Sequence, residues 1–336
     1  MPAPAPLEKL GFLTIGLFDR DDPGAGHETT LRMIEFGEAL GYDSAWVRHR
    51  HLQYGVSSPV ALLAAATQRT TRIALGTAVT PLAWENPLRL AEDWATVDVL
   101  SGGRLNPGMS VGPAMRWEDV KDALYPDTAD LEDFSATRLT RVLSLVAGER
   151  VSGFAGTEGF ETFSERVEPH SPGLRSRMWY GGASLGSARR TGELGMHLLT
   201  SSVVQAEGVG PWDFAAIQAA QIDAYRAVRP EGRVSQGLVV VPTDSATPEQ
   251  RDRYRAFAQA RLPRTAEPQG PRRMMFAPDL VRTSDEIAEA LRAHAGFQRV
   301  TEVVFALPFT FRPEDYEQIL TDIAESLAPR LGWVRA

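Results

Sequence analysis

The chain has no cysteine among its 336 residues, which excludes disulfides, thiolate metal sites and a cysteine nucleophile. It also has no basic excess, because 35 Lys and Arg stand against 43 Asp and Glu for a formal net charge of -8. Nucleic acids and anionic membranes select basic surfaces, so neither is expected as a partner. No apolar run predicts a signal peptide or a transmembrane span. We therefore expect a cytoplasmic protein whose partners are small molecules and other copies of itself.

Two further motifs are absent. Without Gly-x-Gly-x-x-Gly, a Rossmann-type nicotinamide site is not indicated. His49 and His51 are two positions apart, so on a strand they would point the same way. No His-Glu-x-x-His motif and no neighbouring set of carboxylates accompanies them. No metal site is predicted.

Strand-like and helix-like patterns alternate along most of the sequence. Apolar, β-branched runs predict eight strands, at 11–18, 44–49, 72–77, 104–111, 177–182, 196–201, 234–241 and 300–305. Helical apolar spacing predicts nine helices, at 27–40, 59–68, 87–100, 131–146, 185–194, 212–228, 248–260, 284–294 and 313–327. This alternation is typical of βαβ units, and it predicts one (β/α)8 TIM barrel over residues 1–336.

Two segments exceed a minimal barrel. Residues 112–172 form an insertion after the fourth strand, with one amphipathic helix and a strand-like run at 161–167. Residues 261–280 form a late loop rich in proline and arginine. Loops of this length are uncommon unless they are functional, so 261–280 is a candidate mobile lid. Its Arg272 and Arg273 are either ligands of an anion or part of a solvated basic turn.

The stretch 41–103 carries the most specific pattern. It contains Gly-Tyr-Asp-Ser-Ala-Trp (41–46), Leu-Gly-Thr-Ala (75–78), Asn-Pro-Leu-Arg-Leu-Ala-Glu-Asp (86–93) and Leu-Ser-Gly-Gly-Arg-Leu (100–105). The polar cluster of His49, Arg50 and His51 follows a predicted strand, at the end where α/β barrels place their chemistry. In order and spacing these motifs resemble the bacterial luciferase-like, flavin-dependent monooxygenases, and the resemblance extends along most of the chain.

The resemblance implies a two-component oxygenase. Such an enzyme takes FMN as FMNH2 from a separate flavin reductase, and uses O2 as co-substrate to oxidise or cleave a small organic molecule through a flavin C4a-(hydro)peroxide. It also implies a homodimer built from helices on the outer wall. Two other functions stay open, namely an oxidoreductase that uses the deazaflavin F420 and a non-catalytic flavin-binding protein. Within the family, the reaction could also cleave a C-N or C-S bond of a heterocycle, a sulfonate or another flavin.

The cofactor phosphate is expected at the turn 180–187. This turn follows a strand and opens a helix, where free N-H groups and the helix dipole favour an anion, although a capped helix start would look the same. Ser184 and Ser187 match the hydroxyl positions of the family, with Gly181, Gly182 and Ala183 beside them. The arginine that assists in luciferase is not matched at Val111.

The flavin ring is expected at the end of the third strand. The resemblance places Thr77, Ala78 and Val79 there, with the latter two often joined by a non-proline cis peptide, although plain barrel packing is the alternative. Met109, Ser110 and Val111, at the end of the fourth strand, are expected to line the same cavity.

The predicted catalytic residues depart from the family. Aligned without gaps, the usual Glu-His-His or Gln-His-His becomes His49-Arg50-His51, and a shift by one residue puts Arg48 on the acid and His49 on the first histidine. Either way, the carboxylate or amide is lost. An imidazole can act as a general base, whereas a guanidinium clamps an anion, so Arg50 indicates an acidic or strongly polar substrate or altered oxygen chemistry.

Overall fold

The computed structural model describes residues 5–208 and 212–335. Within these residues the strands are β1 (Lys9–Thr14), β2 (Ser44–Val47), β3 (Ala74–Thr77), β4 (Thr80–Pro81), β5 (Leu105–Asn106), β6 (Gly108–Ser110), β7 (Gly156–Glu158), β8 (Glu161–Phe163), β9 (Trp179–Gly181), β10 (His197–Thr200), β11 (Val203–Gln205), β12 (Val234–Gln236), β13 (Val240–Pro242), β14 (Met274–Phe276), β15 (Leu280–Arg282) and β16 (Glu302–Ala306).

The helices lie between these strands. They are α1 (Pro23–Leu40), α2 (Pro59–Thr67), α3 (Pro87–Leu100), α4 (Trp117–Leu124), α5 (Ala136–Ala147), α6 (Leu185–Glu193), α7 (Phe214–Arg226), α8 (Pro248–Arg261), α9 (Ser284–Ala293), α10 (Pro313–Asp322) and α11 (Ala328–Arg330), with a π-helical turn at Ile323–Leu327. None of the helices in the described residues is long and apolar enough to cross a membrane.

Ten of the strands form one curled parallel sheet in the order β4-β6-β9-β10-β12-β16-β1-β2-β3-β5. Because β3 runs on into β4 and β5 into β6, the two ends of this order meet and the sheet closes. The eight resulting barrel strands correspond to the eight predicted from the sequence. The fold is therefore the predicted (β/α)8 barrel, in which all strand ends on one side face the same opening.

Two predicted strands are each divided in the structure. The strand 104–111 is interrupted at Pro107, which has no N-H to donate to a ladder. The strand 234–241 is also not continuous, since β12 stays in the barrel while β13 leaves it and pairs with β15. In both cases an apolar run predicted one strand where hydrogen bonding formed two.

The Leu-Ser-Gly-Gly-Arg-Leu motif has a structural role. Gly102 and Gly103 both have positive φ angles, +67° and +85°, which turn the chain sharply after α3. The guanidinium of Arg104 then donates to the backbone oxygens of Ile73 and Thr70, at 2.8 and 3.0 Å. These bonds fix the end of α3 against the start of β3.

The insertion 112–172 contains more structure than its sequence predicts. It has two helices instead of one, α4 and α5, followed by the hairpin β7-β8. The expected helix start at residue 131 is wrong, because Ser135 caps α5 by accepting from the Thr137 N-H at 3.1 Å. The strand-like run 161–167 is shorter than expected and lies on the exposed hairpin.

The late segment 261–280 is also not a plain loop. Its strand β14 pairs antiparallel with β11. Its ends are joined by Arg261, whose Nε donates to Asp279 at 2.6 Å. This segment is therefore held beside β11, which directly follows barrel strand β10.

Candidate functional site

Two connected cavities open at the carboxyl ends of the barrel strands. The larger has a volume of about 820 Å³, and the smaller, which is more apolar, about 200 Å³. Arg48, Ala78 and Val79 line both, so the cavities meet along these three residues. TIM-barrel enzymes have their active sites at the carboxyl ends of the barrel strands, so this cleft is the candidate active site.

The predicted catalytic residues His49, Arg50 and His51 all line the larger cavity. They follow β2 directly, and the Arg50 N-H donates to the Val56 oxygen at 2.8 Å, which fixes the loop. The ring centroids of His49 and His51 lie 4.3 Å apart. The structure therefore brings the three residues together at the cavity wall.

His49 is held by a backbone oxygen. Its side chain is only 3% exposed, and Nε2 lies 2.7 Å from the Ser57 oxygen. Because a carbonyl only accepts, Nε2 carries the hydrogen and Nδ1 is left with its lone pair. Nδ1 is buried and has no hydrogen-bond partner among the described residues. Burial, with a smaller effect of His51, lowers the pKa of His49 to about 3, so the ring is neutral near pH 7.

A carboxylate does reach His49, although not from its own strand. Glu85, which follows β4, places Oε1 3.8 Å from His49 Nε2. Burial and the nearby Asp93 raise the pKa of Glu85 to about 7. Since the imidazole is neutral, this contact is not an ion pair at neutral pH. The sequence around the histidines does not show this carboxylate, because Glu85 is 36 residues further along the chain.

His51 packs face to face on an aromatic ring. Its ring centroid lies 3.9 Å from that of Trp84, with the planes 10° apart. Burial lowers the pKa of His51 to about 4, so this imidazole is also neutral. No motif around Trp84 or Glu85 marks them as site residues. Both follow a barrel strand at its carboxyl end, and only that position could have indicated them from the sequence.

His49, His51 and Glu85 could also be considered as metal ligands. One ligand atom from each lies within 4.8 Å of the other two. A tetrahedral zinc ion with bonds of about 2.0 to 2.1 Å needs ligand atoms about 3.3 Å apart. The measured His49 to Glu85 contact of 3.8 Å is longer. Nε2 of His49 also lies 2.7 Å from the Ser57 oxygen, so these groups would have to move before they could coordinate a metal ion together.

The predicted ring-binding residues lie at different places. Ala78 and Val79 are on the wall shared by the two cavities, and the peptide bond between them is cis, as the resemblance implied. Thr77 is not on either wall. It is 1% exposed, and its hydroxyl donates to the Gly108 oxygen and accepts from the Gly108 N-H. Thr77 therefore joins β3 to β6.

The fourth barrel strand supplies the floor of the larger cavity. Ser110 and Val111 line it as expected, whereas Met109 is fully buried and lies on neither wall. Of the two late arginines, Arg272 lines this cavity. Arg273 instead donates to the Gly208 oxygen at 3.0 Å and covers the Trp212 ring.

The predicted phosphate turn is a capped helix start. Gly181, Gly182 and Ala183 line the smaller cavity, but Ser184 and Ser187 line neither. Ser184 Oγ accepts from the Ser187 N-H at 3.1 Å and donates to Ser187 Oγ at 3.0 Å, which forms a capping box on α6. Residues 182–186 also have the Gly-x-Ser-x-Gly pattern of hydrolases, yet Ser184 bonds to this box and not to an imidazole.

A carboxylate occupies the start of the same helix. Glu207 Oε2 accepts from the Leu185 N-H at 2.7 Å. Leu185 is the first residue of α6, so its N-H has no partner within the helix. Glu207 shows that this helix start attracts an anion, and its own sequence position gave no indication of the contact.

Sequence comparison connects the chain with one enzyme family. The profile of the luciferase-like monooxygenases matches residues 10–227. The 4-hydroxyprotoasukamycin monooxygenase of Streptomyces nodosus subsp. asukaensis is 34% identical over 166 residues, 49% of this chain and 41% of that protein. The F420-dependent glucose-6-phosphate dehydrogenase of Amycolatopsis mediterranei is 35% identical over 96 residues, 27% of this chain and 29% of that protein. The matched segments thus span less than half the length of these curated relatives.

Solved structures extend the likeness over the whole fold. Monooxygenase RslO1 from Streptomyces bottropensis matches with a TM-score of 0.70 at 20% identity, over 96% of this chain and 99% of that one. The oxygenating constituent of 3,6-diketocamphane monooxygenase from Pseudomonas putida, solved with FMN, matches with a TM-score of 0.65 at 14% identity, over 97% and 99%. At these identities the likeness shows the fold alone.

Proposed function

We propose, because the chain belongs to the luciferase-like monooxygenase family, that it uses reduced FMN and O2 to oxidise or cleave a small organic substrate. One observation carries this proposal. The strand ends that bear the His49 cluster, the Ala78-Val79 wall and the Gly181 turn all converge on two cavities that share residues. A flat ring with a phosphate tail needs such a slot beside an anion site.

The residues present fit a flavin phosphate and ring. The start of α6 already holds the carboxylate of Glu207, which is a stand-in for an anion at this helix end. A Cβ atom at position 181 would lie 2.9 Å from Val79 Cγ1, which is too close for an unstrained contact. With glycine there, Val79 packs against the backbone, and the backbone itself faces the cavity. Bound there, reduced FMN would supply the electrons that activate O2.

Side chains of this protein would then exclude water from the bound cofactor and hold or release protons beside it. Ala78, Val79 and Val111 present apolar surface on the wall of the larger cavity and would shield a bound ring from water on that side. His49 lies between the larger cavity and a third one of about 360 Å³, whose wall includes Glu85 and Asp93. Glu85, with its pKa near 7, can hold or release a proton beside His49, and this position suits the exchange of protons with solvent.

The reduced cofactor would come from a separate flavin reductase, as a transient partner or by diffusion. The proposal also includes a homodimer, in which outer-wall helices pack together. Both are testable by co-purification and by sedimentation.

F420 is the competing cofactor. Several similar proteins carry F420 in their names, among them the glucose-6-phosphate dehydrogenase described above and an F420-dependent secondary alcohol dehydrogenase of the same fold. An F420 enzyme would transfer a hydride and consume no oxygen. The anion site at α6 would serve either cofactor, so the choice rests on binding and on oxygen use.

The test compares three ligands by equilibrium binding, namely reduced FMN, reduced riboflavin and reduced F420, all under anaerobic conditions. We expect FMN to bind most tightly, and riboflavin to bind more weakly because it lacks the phosphate. Air-saturated buffer is then mixed in and the flavin absorbance is followed. Reoxidation kinetics that differ from those of free FMN support the oxygenase, whereas tight F420 binding with no effect on FMN reoxidation would overturn it.

A further inference from the structure

Two arginines on the wall of the larger cavity have no counter-ion among the described residues. Arg48 and Arg50 both follow β2, and both are partly buried. Neither guanidinium takes part in a side-chain hydrogen bond or an ion pair within residues 5–208 and 212–335. The Cζ atom of Arg48 lies 6.0 Å from the centroid of the Phe309 ring.

An anion between the two guanidiniums would stabilise this arrangement. Burial, with Arg50 and Arg261 adding repulsion, lowers the pKa of Arg48 to about 10, so it remains charged near pH 7. Burial also lowers the pKa of Arg50. The guanidiniums are open to the cavity, and two partly buried cations side by side favour the binding of an anion there.

The rest of the cavity wall does not neutralise these charges. Asp119 is the acidic residue in its lining, and its carboxylate accepts from Arg116 Nε at 2.7 Å. Arg272 adds a further cation at the rim. Arg261 differs from Arg48 in this respect, because Asp279 binds it through two oxygens, at 2.6 and 3.3 Å.

The position of Arg50 separates it from the proposed phosphate site. Arg50 lines only the larger cavity, whereas Gly181, Gly182 and Ala183 line only the smaller one. The larger cavity is also the one bounded by His49 and His51. The guanidinium of Arg50 therefore belongs to the space beside the proposed catalytic residues, whereas Arg48 lies on the wall that this space shares with the smaller cavity.

From these contacts we infer that Arg48 and Arg50 form a subsite for the anionic group of the substrate, which is an organic carboxylate or sulfonate. This inference rests on the proposed function, since it names the substrate class of the same cavity. Planar guanidiniums bind both oxyanions through paired N-H donors. The apolar wall of Ala78, Val79 and Val111 suits the organic part of such a molecule.

The test is calorimetric titration of the whole protein with octanesulfonate, octanoate and 1-octanol at low ionic strength. We expect at least one of the two anions to bind tenfold or more tightly than the alcohol, and the better anion tells which acid the site prefers. Arg50→Met should reduce this anion affinity at least tenfold. Arg116→Asn is the matched control, because it removes a paired arginine of the same cavity, and it should change the affinity less than twofold.

Melting temperatures of the variants show whether a loss of anion binding comes only from unfolding. Arg48→Met and Arg50→Met each remove an uncompensated charge, so both variants should melt at or above the wild-type temperature. A lower melting temperature would mean that these arginines stabilise the fold, and it would overturn the inference. Equal binding of anions and alcohol by the wild type would also overturn it.

FMN and riboflavin binding separate this inference from the proposed function. If Arg50→Met weakens FMN but not riboflavin, the arginine holds the cofactor phosphate, and the inference fails while the proposed function stands. If the wild type binds neither flavin, the proposed function fails on its own, and the anion titration still reports on the subsite.

Discussion

Glu85 Oε1 lies 3.8 Å from Nε2 of His49, although the two residues follow different barrel strands. The resemblance implied an acid or amide next to the histidines in sequence, and this chain has neither at that position. In the fold, the carboxylate of Glu85, which follows the next barrel strand, lies near His49. Its pKa, raised to about 7 by burial, gives it a proton to exchange near neutral pH.

Glu85→Gln should remove the part of the pH dependence of activity and of stability that comes from the Glu85 carboxyl group. The folded-state pKa of about 7 lies above the ordinary 4.5, so the carboxyl group stabilises the fold fully below pH 4.5 and loses this contribution as the pH rises to 7. The loss is on the order of 3 kcal/mol. We expect the melting temperature of Glu85→Gln, relative to wild type, to rise between pH 5 and pH 8. A constant difference across this range would show that Glu85 has an ordinary pKa.

Ser184→Ala combined with Ser187→Ala should weaken FMN binding about tenfold, because a phosphate at this turn would take over the hydroxyl donors that the capping box uses in its absence. The variant also loses the cap of α6, which costs about 1 kcal/mol. Thr247→Ala is the matched control, since it breaks the capping box of Thr247 and Gln250 on α8. It should show a similar stability loss and unchanged FMN affinity in a fluorescence titration. Equal FMN affinity in all three proteins would remove the phosphate assignment.

Glu207→Gln should strengthen FMN binding about two- to fivefold. The carboxylate of Glu207 holds the Leu185 N-H, so a phosphate at this helix start must displace it, and a neutral amide competes less well at the positive end of a helix. Riboflavin affinity, measured in parallel, should not change because riboflavin has no phosphate. Weaker FMN binding would instead mean that Glu207 supports the site.

Asp98→Asn should destabilise the fold by about 3 kcal/mol without involving the active site. Asp98 is fully buried, and its Oδ2 accepts from Arg177 at 2.6 Å while Oδ1 accepts from the Leu105 N-H at 3.2 Å. Asp119→Asn, at an exposed ion pair with Arg116, should change the stability little. Denaturant titration measures both, and a similar small effect for the two variants would contradict the role of Asp98.

Much of the fold could be predicted from the sequence because it depends on local patterns. Asn86 accepts from the N-H groups of Leu88 and Arg89, and Pro87 follows as the first residue of α3, so this helix begins where its cap and proline predict. Prediction was weaker where hydrogen bonds between distant segments decide the structure. The separation of β13 from the barrel and the pairing of β14 with β11 are examples.

The candidate site divides in the same way. The sequence indicated that His49, Arg50 and His51 lie at the end of a strand, and that the turn 180–187 opens a helix, and both positions are correct. It also assigned Thr77 to the cofactor, whereas the hydroxyl of Thr77 is used to join two strands. A side chain's direction depends on strand register, which residue types alone do not specify.

The sequence by itself determined the barrel, the order of its strands and the family, because periodic burial and turn residues are properties of short segments. Only the tertiary structure decided which groups meet. It brought Glu85 to His49 and Glu207 to the start of α6, and it left Arg48 and Arg50 without a counter-ion on the described part of the cavity wall. Barrel closure places the ends of distant strands around one opening, and contacts across that opening have no signal in any single segment.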